Sequence, residues 1–228
     1  MFKCASSGIQ DYNVKATPDV VLMVFPHLLQ TLQAWAFRIA GGKWSGHCFL
    51  VLLLPMLSPA FCAGQTALDL DGKRVNPLNS NAGRPVILVF VQEDCPVSRR
   101  YAPTIQQISD EHQKTARFYL IFPDKSESPS DIRKYLSEFH YSIPALRDPE
   151  HALVKKAHVQ VTPEAAMFDG KGVLVYHGRI DNLYESFGHA RSAPTTHELE
   201  DAIQATLAGR APSNKEVAGV GCYISDLQ

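Results

Sequence analysis

The 228-residue chain has no Cys-x-x-Cys and no His-x-x-His spacing. That removes the adjacent thiols of a dithiol loop and the usual ligand spacing of a structural zinc site. It has no glycine-rich phosphate loop and no Ser/His/Asp order that would mark an acyl-transfer triad. Neither charge is in excess: 22 Lys and Arg stand against 23 Asp and Glu, a formal net charge of −1. Such a balance gives no basic footprint for nucleic acid. No fixed-period repeat or low-complexity tract is visible, which argues against solenoids and arrays. Long hydrophobic runs are missing too. Residues 49–57 are apolar and uncharged, but nine residues are too few to span a bilayer.

Cysteine is scarce, with Cys4, Cys48, Cys62, Cys95 and Cys222 the only five. The run at 49–57 follows Arg38 and Lys43 and precedes Ser58-Pro59-Ala60-Phe61-Cys62-Ala63-Gly64. Basic flank, short apolar stretch and small residues are the parts of an export signal. The expected organisation is a leader over 1–63, a globular domain over 64–209 and an irregular tail over 210–228 that carries Cys222. The charge divides unevenly: residues 1–63 hold four basic and two acidic side chains, residues 64–228 hold 18 and 21. Cleavage is expected to place the mature start between Phe61 and Gln65 and the protein in the periplasm or another extracytoplasmic space. An uncleaved leader would instead tether the domain to a membrane. The bulky Phe61 before Cys62 speaks against lipidation. The mature chain then keeps Cys95 and Cys222, an even count that permits one disulfide in an oxidising compartment.

What the sequence does have is Asp94-Cys95-Pro96-Val97-Ser98, directly after the apolar run Val86 to Val91. A continuous apolar run reads as a strand buried on both faces. Pro96 suits a first helical turn, so Cys95 is expected where a strand becomes a helix. Unpaired amides and the macrodipole at that end favour thiolate, the nucleophilic form. The helix is expected to run to about Lys114, with Pro103 inside it. Ala67 to Val75 reads as a hairpin turned by Asp71-Gly72. Arg117 to Phe122 reads as the next strand. Ser128-Pro129 opens a helix with Ile132, Tyr135, Leu136 and Phe139 on one side. Asp148-Pro149 opens a short helix carrying Leu153, Val154 and Ala157. Asp169 to Gly172 turns a second hairpin, and Thr195-Thr196-His197-Glu198 reads as a capping box for a last helix. The fold class is α/β, a mixed sheet with helices on both faces.

The order and spacing resemble the thioredoxin-like superfamily, in its redoxin branch of alkyl hydroperoxide reductase and thiol-specific antioxidant type. Four features over roughly residues 65–209 carry the resemblance: the strand running into Cys95-Pro96, Pro103 eight residues on, Val161-Thr162-Pro163, and the Asp169–Gly172 hairpin before a terminal helix. The chain also looks like an exported bacterial group ending in a Gly-Cys motif, here Gly221-Cys222-Tyr223-Ile224. It departs from thioredoxins in carrying Ser98 where the second cysteine would stand. It departs from peroxiredoxins in carrying Gln92 in place of Thr or Ser and no proline further back.

The resemblance implies an oxidoreductase in which Cys95 is the nucleophile and Pro163, joined to Thr162 by a cis bond, walls the substrate side. Its substrates would be protein thiols and disulfides or peroxide, with a reducing partner protein and no cofactor. Cys222, 127 residues beyond Cys95 in a glycine-flanked tail, reads as a mobile resolving cysteine, one half of a permanent disulfide, a metal ligand or a thiol without a role. The alternative from another class is copper binding or delivery by Cys95 and Cys222 with His177, since Cu(I) accepts thiolates plus an imidazole. A non-catalytic interaction module is the third reading. Glu93 and Asp94 read as a solvated acidic loop opposing a low thiol pKa, with Arg99 and Arg100 offsetting them. Arg179-Ile180-Asp181-Asn182 reads as a rim loop.

Overall fold

The computed structural model describes residues 66–79, 83–225 and 227, which belong to the unit Ala60–Gln228. The leader, its cleavage region and Cys4, Cys48 and Cys62 lie outside the described residues. Among the described residues no helix is long and apolar enough to cross a membrane.

β1 (Ala67–Leu68) and β2 (Arg74–Val75) pair antiparallel around Asp71-Gly72. The Asp69 carboxylate ties that turn by accepting the amides of Asp71 and Lys73. β3 (Val86–Phe90) is apolar throughout and wholly buried. It leads into α1 (Pro96–His112), then β4 (Arg117–Phe122) and α2 (Pro129–Glu138). β5 (Ala145–Arg147) precedes α3 (Ala152–Ala157), and β6 (Val161–Thr162) precedes the hairpin of β7 (Glu164–Phe168) and β8 (Leu174–Gly178). β9 (Tyr184–Ser186) and β10 (His189–Ala190) form a small ribbon before α4 (Glu198–Leu207). The tail adds β11 (Glu216–Val217) and β12 (Cys222–Tyr223).

The main sheet runs β11-β8-β7-β3-β4-β5-β1-β2. β3, β4 and β5 are parallel neighbours, while β7 and β8 return antiparallel. Alternation along β3 sends Ile87 and Val89 to one face, with Val97, Tyr101, Ile105 and Ile108 of α1, Ile132 and Tyr135 of α2 and Leu199 and Ile203 of α4. Val86, Leu88 and Phe90 point to the other face, with Leu153, Val154 and Ala157 of α3 and Ile224 of the tail. Each of the Val, Leu, Ile and Phe side chains among them contributes ~1.5–3 kcal/mol by leaving water.

Three expectations fare differently in the fold. Thr195–Glu198 does not close as a capping box. His197 is the N-cap and makes no side-chain cap bond, because Glu198 is engaged by Arg179 and Thr196, and Asn182 accepts the amides of Thr195 and Thr196. The segment Arg179–Asn182 is no rim loop. Ile180, Asp181 and Asn182 are buried, and Asp181 accepts the Tyr101 hydroxyl, joining it to α1. The tail over 210–228 is not irregular throughout: β11 joins the main sheet and β12 pairs with β6.

Candidate functional site

Between β3 and α1 the chain turns through Gln92–Asp94 and places Cys95 as the N-cap residue, with Pro96 in the first turn. The residue is only 2% exposed. No side-chain oxygen caps this helix. Instead the amide and hydroxyl of Ser98 both donate to the Cys95 sulfur. Ser98 is fully buried, and its oxygen also accepts the Gln92 amide at 3.4 Å. The residue that stands where a second cysteine would stand therefore favours the Cys95 thiolate.

On the opposite side, the Thr162 carbonyl accepts the Cys95 thiol at 3.1 Å. The Thr162 hydroxyl donates to Gln92 Oε1 at 2.8 Å, and Gln92 Nε2 donates to Asp124 at 3.3 Å. The Thr162–Pro163 bond is cis. β12 runs antiparallel to β6 with Cys222 opposite Thr162. That pairing brings the Cys222 thiol and amide within hydrogen-bonding reach of the Cys95 sulfur. Cys222 is not on a loose arm. The Ile224 amide donates to the Gln160 carbonyl at 3.0 Å, and the Gly219 amide to Glu164 Oε1 at 3.3 Å. Glu164 is itself buried, and its other oxygen accepts the amides of Gln160 and Val161.

The two thiols are driven apart in acidity. Burial raises the Cys95 pKa, but donation from the Cys222 thiol, from Ser98 and from the Cys222 amide outweighs it, so the net shift is downward. Cys222 is pushed up to about 12 by burial, by donating to Cys95 and by the Cys95 charge. One sulfur thus favours its thiolate while the other holds its proton. When Cys95 ionises it can no longer donate to Thr162, and Ser98 and Cys222 become its holders. Replacing Ser98 by alanine should accordingly slow Cys95 alkylation at neutral pH about tenfold, the loss of one bond to a charged sulfur (~1.5 kcal/mol). Iodoacetamide labelling followed by peptide mass spectrometry reads this directly, and an unchanged rate would make Ser98 a packing residue only.

The acidic loop is more structured than a solvated one. The Glu93 amide donates to Glu127 Oε1 at 2.6 Å. Glu127 is 5% exposed, and its Oε2 has no hydrogen-bond partner. Burial pushes its carboxyl up to about 8, with Asp124, Glu93 and Asp94 adding to the shift. Burial and the charges of Asp131 and Asp94 likewise raise Glu93. Arg99 donates to the Glu93 carbonyl, pairs with Glu138 and lies over the Phe139 ring. The sequence pointed to neither Glu127 nor Glu164: Glu127 sits in a short polar stretch that reads as surface, and Glu164 is a lone acid between Pro163 and the apolar run Ala165 to Phe168.

His177 is not brought to this site. It pairs across the sheet with Ala166, on the α3 face, whereas Cys95 belongs to the core on the α1 face. Its ring lies 5.9 Å from that of His158, and its Nε2 lies 3.8 Å from Glu216. Among the described residues no third ligand is grouped with Cys95 and Cys222.

The redoxin family model matches residues 56–188, more than half of the chain. No curated protein matches it. Among solved structures, a hypothetical protein of Sinorhizobium meliloti is 19% identical, with TM-score 0.61, over 70% of this chain and 88% of that one. An uncharacterized conserved protein of Geobacillus kaustophilus is 22% identical, with TM-score 0.61, over 70% and 86%. A secreted disulfide oxidoreductase of Mycobacterium tuberculosis is 18% identical, with TM-score 0.45, over 63% and 94%. The first two likenesses share the fold, and the family match places the sequence: the chain belongs to the redoxin family and has a thioredoxin-like fold.

Proposed function

We propose that the protein is an exported thiol–disulfide oxidoreductase whose working unit is the pair Cys95 and Cys222. The observation that carries this reading is the contact of two free thiols, one at a helix start with lowered pKa and one with raised pKa. The Cys95 thiolate attacks an oxidant or a disulfide sulfur. Cys222 then displaces the departing group from Cys95, giving a Cys95–Cys222 disulfide. A reducing partner, thiol in character, would return the pair to two thiols. The chemistry needs no cofactor. Thr162 and Pro163 form the wall beside the nucleophile, with the Thr162 carbonyl as its polar contact. Membership of the redoxin family supports redox chemistry in general; the resolving role of Cys222 and the periplasmic or extracytoplasmic location are part of the proposal.

The test is the fate of Cys95 under mild oxidant. Wild-type protein should lose two hydrogens in mass and form a reducible Cys95–Cys222 disulfide. Cys222→Ser should instead accumulate sulfenic acid on Cys95, trapped with dimedone, because nothing resolves it. Equal sulfenic acid in both proteins would remove Cys222 from the chemistry. The copper reading keeps two thiolates but not the imidazole of His177. Cu(I) held against a chelator by wild type and lost in both Cys95→Ser and Cys222→Ser would restore it.

A further inference from the structure

We infer that β12 is a resident strand on β6 that bars extended peptides from Cys95 and leaves the pair open to oxidants small enough to reach sulfur without strand pairing, with Gly221 setting the closeness of the seal. This rests on the proposed Cys95–Cys222 chemistry and names its substrate class.

Among the described residues β6 pairs with no strand except β12. An extended peptide approaching Cys95 along Thr162 would need the same backbone groups to add itself as a strand. Those groups are taken, with Cys222 opposite Thr162, Tyr223 opposite Val161 and the Ile224 amide on Gln160. The seal is backbone on backbone. A Cβ at Gly221 would lie 1.9 Å from the Thr162 oxygen and 2.6 Å from its carbonyl carbon. Only glycine allows that approach, so this glycine serves contact rather than mobility. Farther along, Ile224 is buried against the α3 face and pins the strand from below. Tyr223 between them is 81% exposed, so one side of the strand faces solvent. Displacing β12 also carries Cys222 away from Cys95. A peptide substrate would therefore remove the resolving thiol as it bound, whereas a small oxidant leaves it in place.

With a hydroperoxide the atoms balance. The Cys95 thiolate takes the distal oxygen as the O–O bond breaks, and the departing alkoxide or hydroxide takes a proton. The Cys222 sulfur then attacks the Cys95 sulfenic acid, forming the S–S bond, and its proton and the hydroxyl leave as water.

The experiment compares full-length wild type, Gly221→Ala and Ile224→Ala, each first shown to unfold cooperatively. Gly221→Ala breaks the seal at Thr162, and Ile224→Ala weakens the anchor without touching it. The two probes are hydrogen peroxide and a short extended peptide carrying an activated disulfide. Wild type should form its internal disulfide with peroxide and couple slowly to the peptide. Both variants should couple to the peptide about tenfold faster or more, in proportion to the larger open population. Equal peptide rates in all three proteins would overturn the resident-strand assignment while leaving the redox pair intact. If neither probe modifies Cys95 in any of them, the redox reading itself fails.

Discussion

Glu127→Gln is expected to flatten a fall in folding stability that wild type shows as pH rises from 4.5 towards about 8. The Glu127 carboxyl sits near 8 in the folded chain because it is buried and faces Asp124, Glu93 and Asp94, against 4.5 in an unperturbed chain. Below the lower value both states carry the proton and the folded state keeps its full advantage. Between the two values the unfolded chain ionises first and is stabilised, so folding weakens as pH rises, until the folded carboxyl ionises as well. At ~1.4 kcal/mol per unit, the loss across this window amounts to about 3–5 kcal/mol. Glutamine keeps the acceptor for the Glu93 amide and carries no proton to lose. Denaturant unfolding at a series of pH values reads the difference in slope. Parallel curves for the two proteins would mean that Glu127 titrates as an ordinary carboxyl.

Asp148→Ala should be the most damaging single change outside the thiol site. Asp148 is fully buried, and its two oxygens accept the amides of Ala152 at 2.9 Å, Leu153 at 2.8 Å and Val154 at 2.9 Å. These are donors at the start of α3 that have no partner within the helix. Alanine leaves all three unsatisfied in an apolar setting, at a cost of about 3–5 kcal/mol. Asparagine should recover only part of it, because its amide nitrogen faces donors where a second oxygen is needed. Chemical denaturation separates the cases, and a loss below ~1 kcal/mol for alanine would show that water replaces the carboxylate. Since α3 packs on Ile224, the alanine variant should also loosen β12.

Where one short stretch decides the structure, the sequence was readable. Asp71-Gly72 turns its hairpin, Ser128 caps α2 through the Asp131 amide, and Cys95 stands at the strand-to-helix junction. Where distant segments decide, it was not. Ala145–Arg147 is too short to show a period, yet it completes the parallel run beside β4. Glu127 follows Asp124, Lys125 and Ser126 and looks solvated, although the fold buries it under the Cys95 turn. Gly219 and Gly221 look like slack, because a glycine used for close approach cannot be told from a flexible one without its neighbour. The Asn182 and Arg179 side chains that displace the capping box come from 13 or more residues upstream of their partners.

The tail has a second consequence, colloidal rather than chemical. β8 would otherwise end the main sheet with a row of bare amides and carbonyls, a template for joining another copy. β11 covers it at backbone distance: a Cβ on Gly178, whose φ is +141°, would lie 1.9 Å from the Val217 oxygen. The cover is itself only two residues long, with Lys215 and Glu216 exposed at its start, a poor surface for further pairing. A protease cut ahead of Lys215 that released the tail should therefore promote self-association, read by size-exclusion chromatography before and after cleavage.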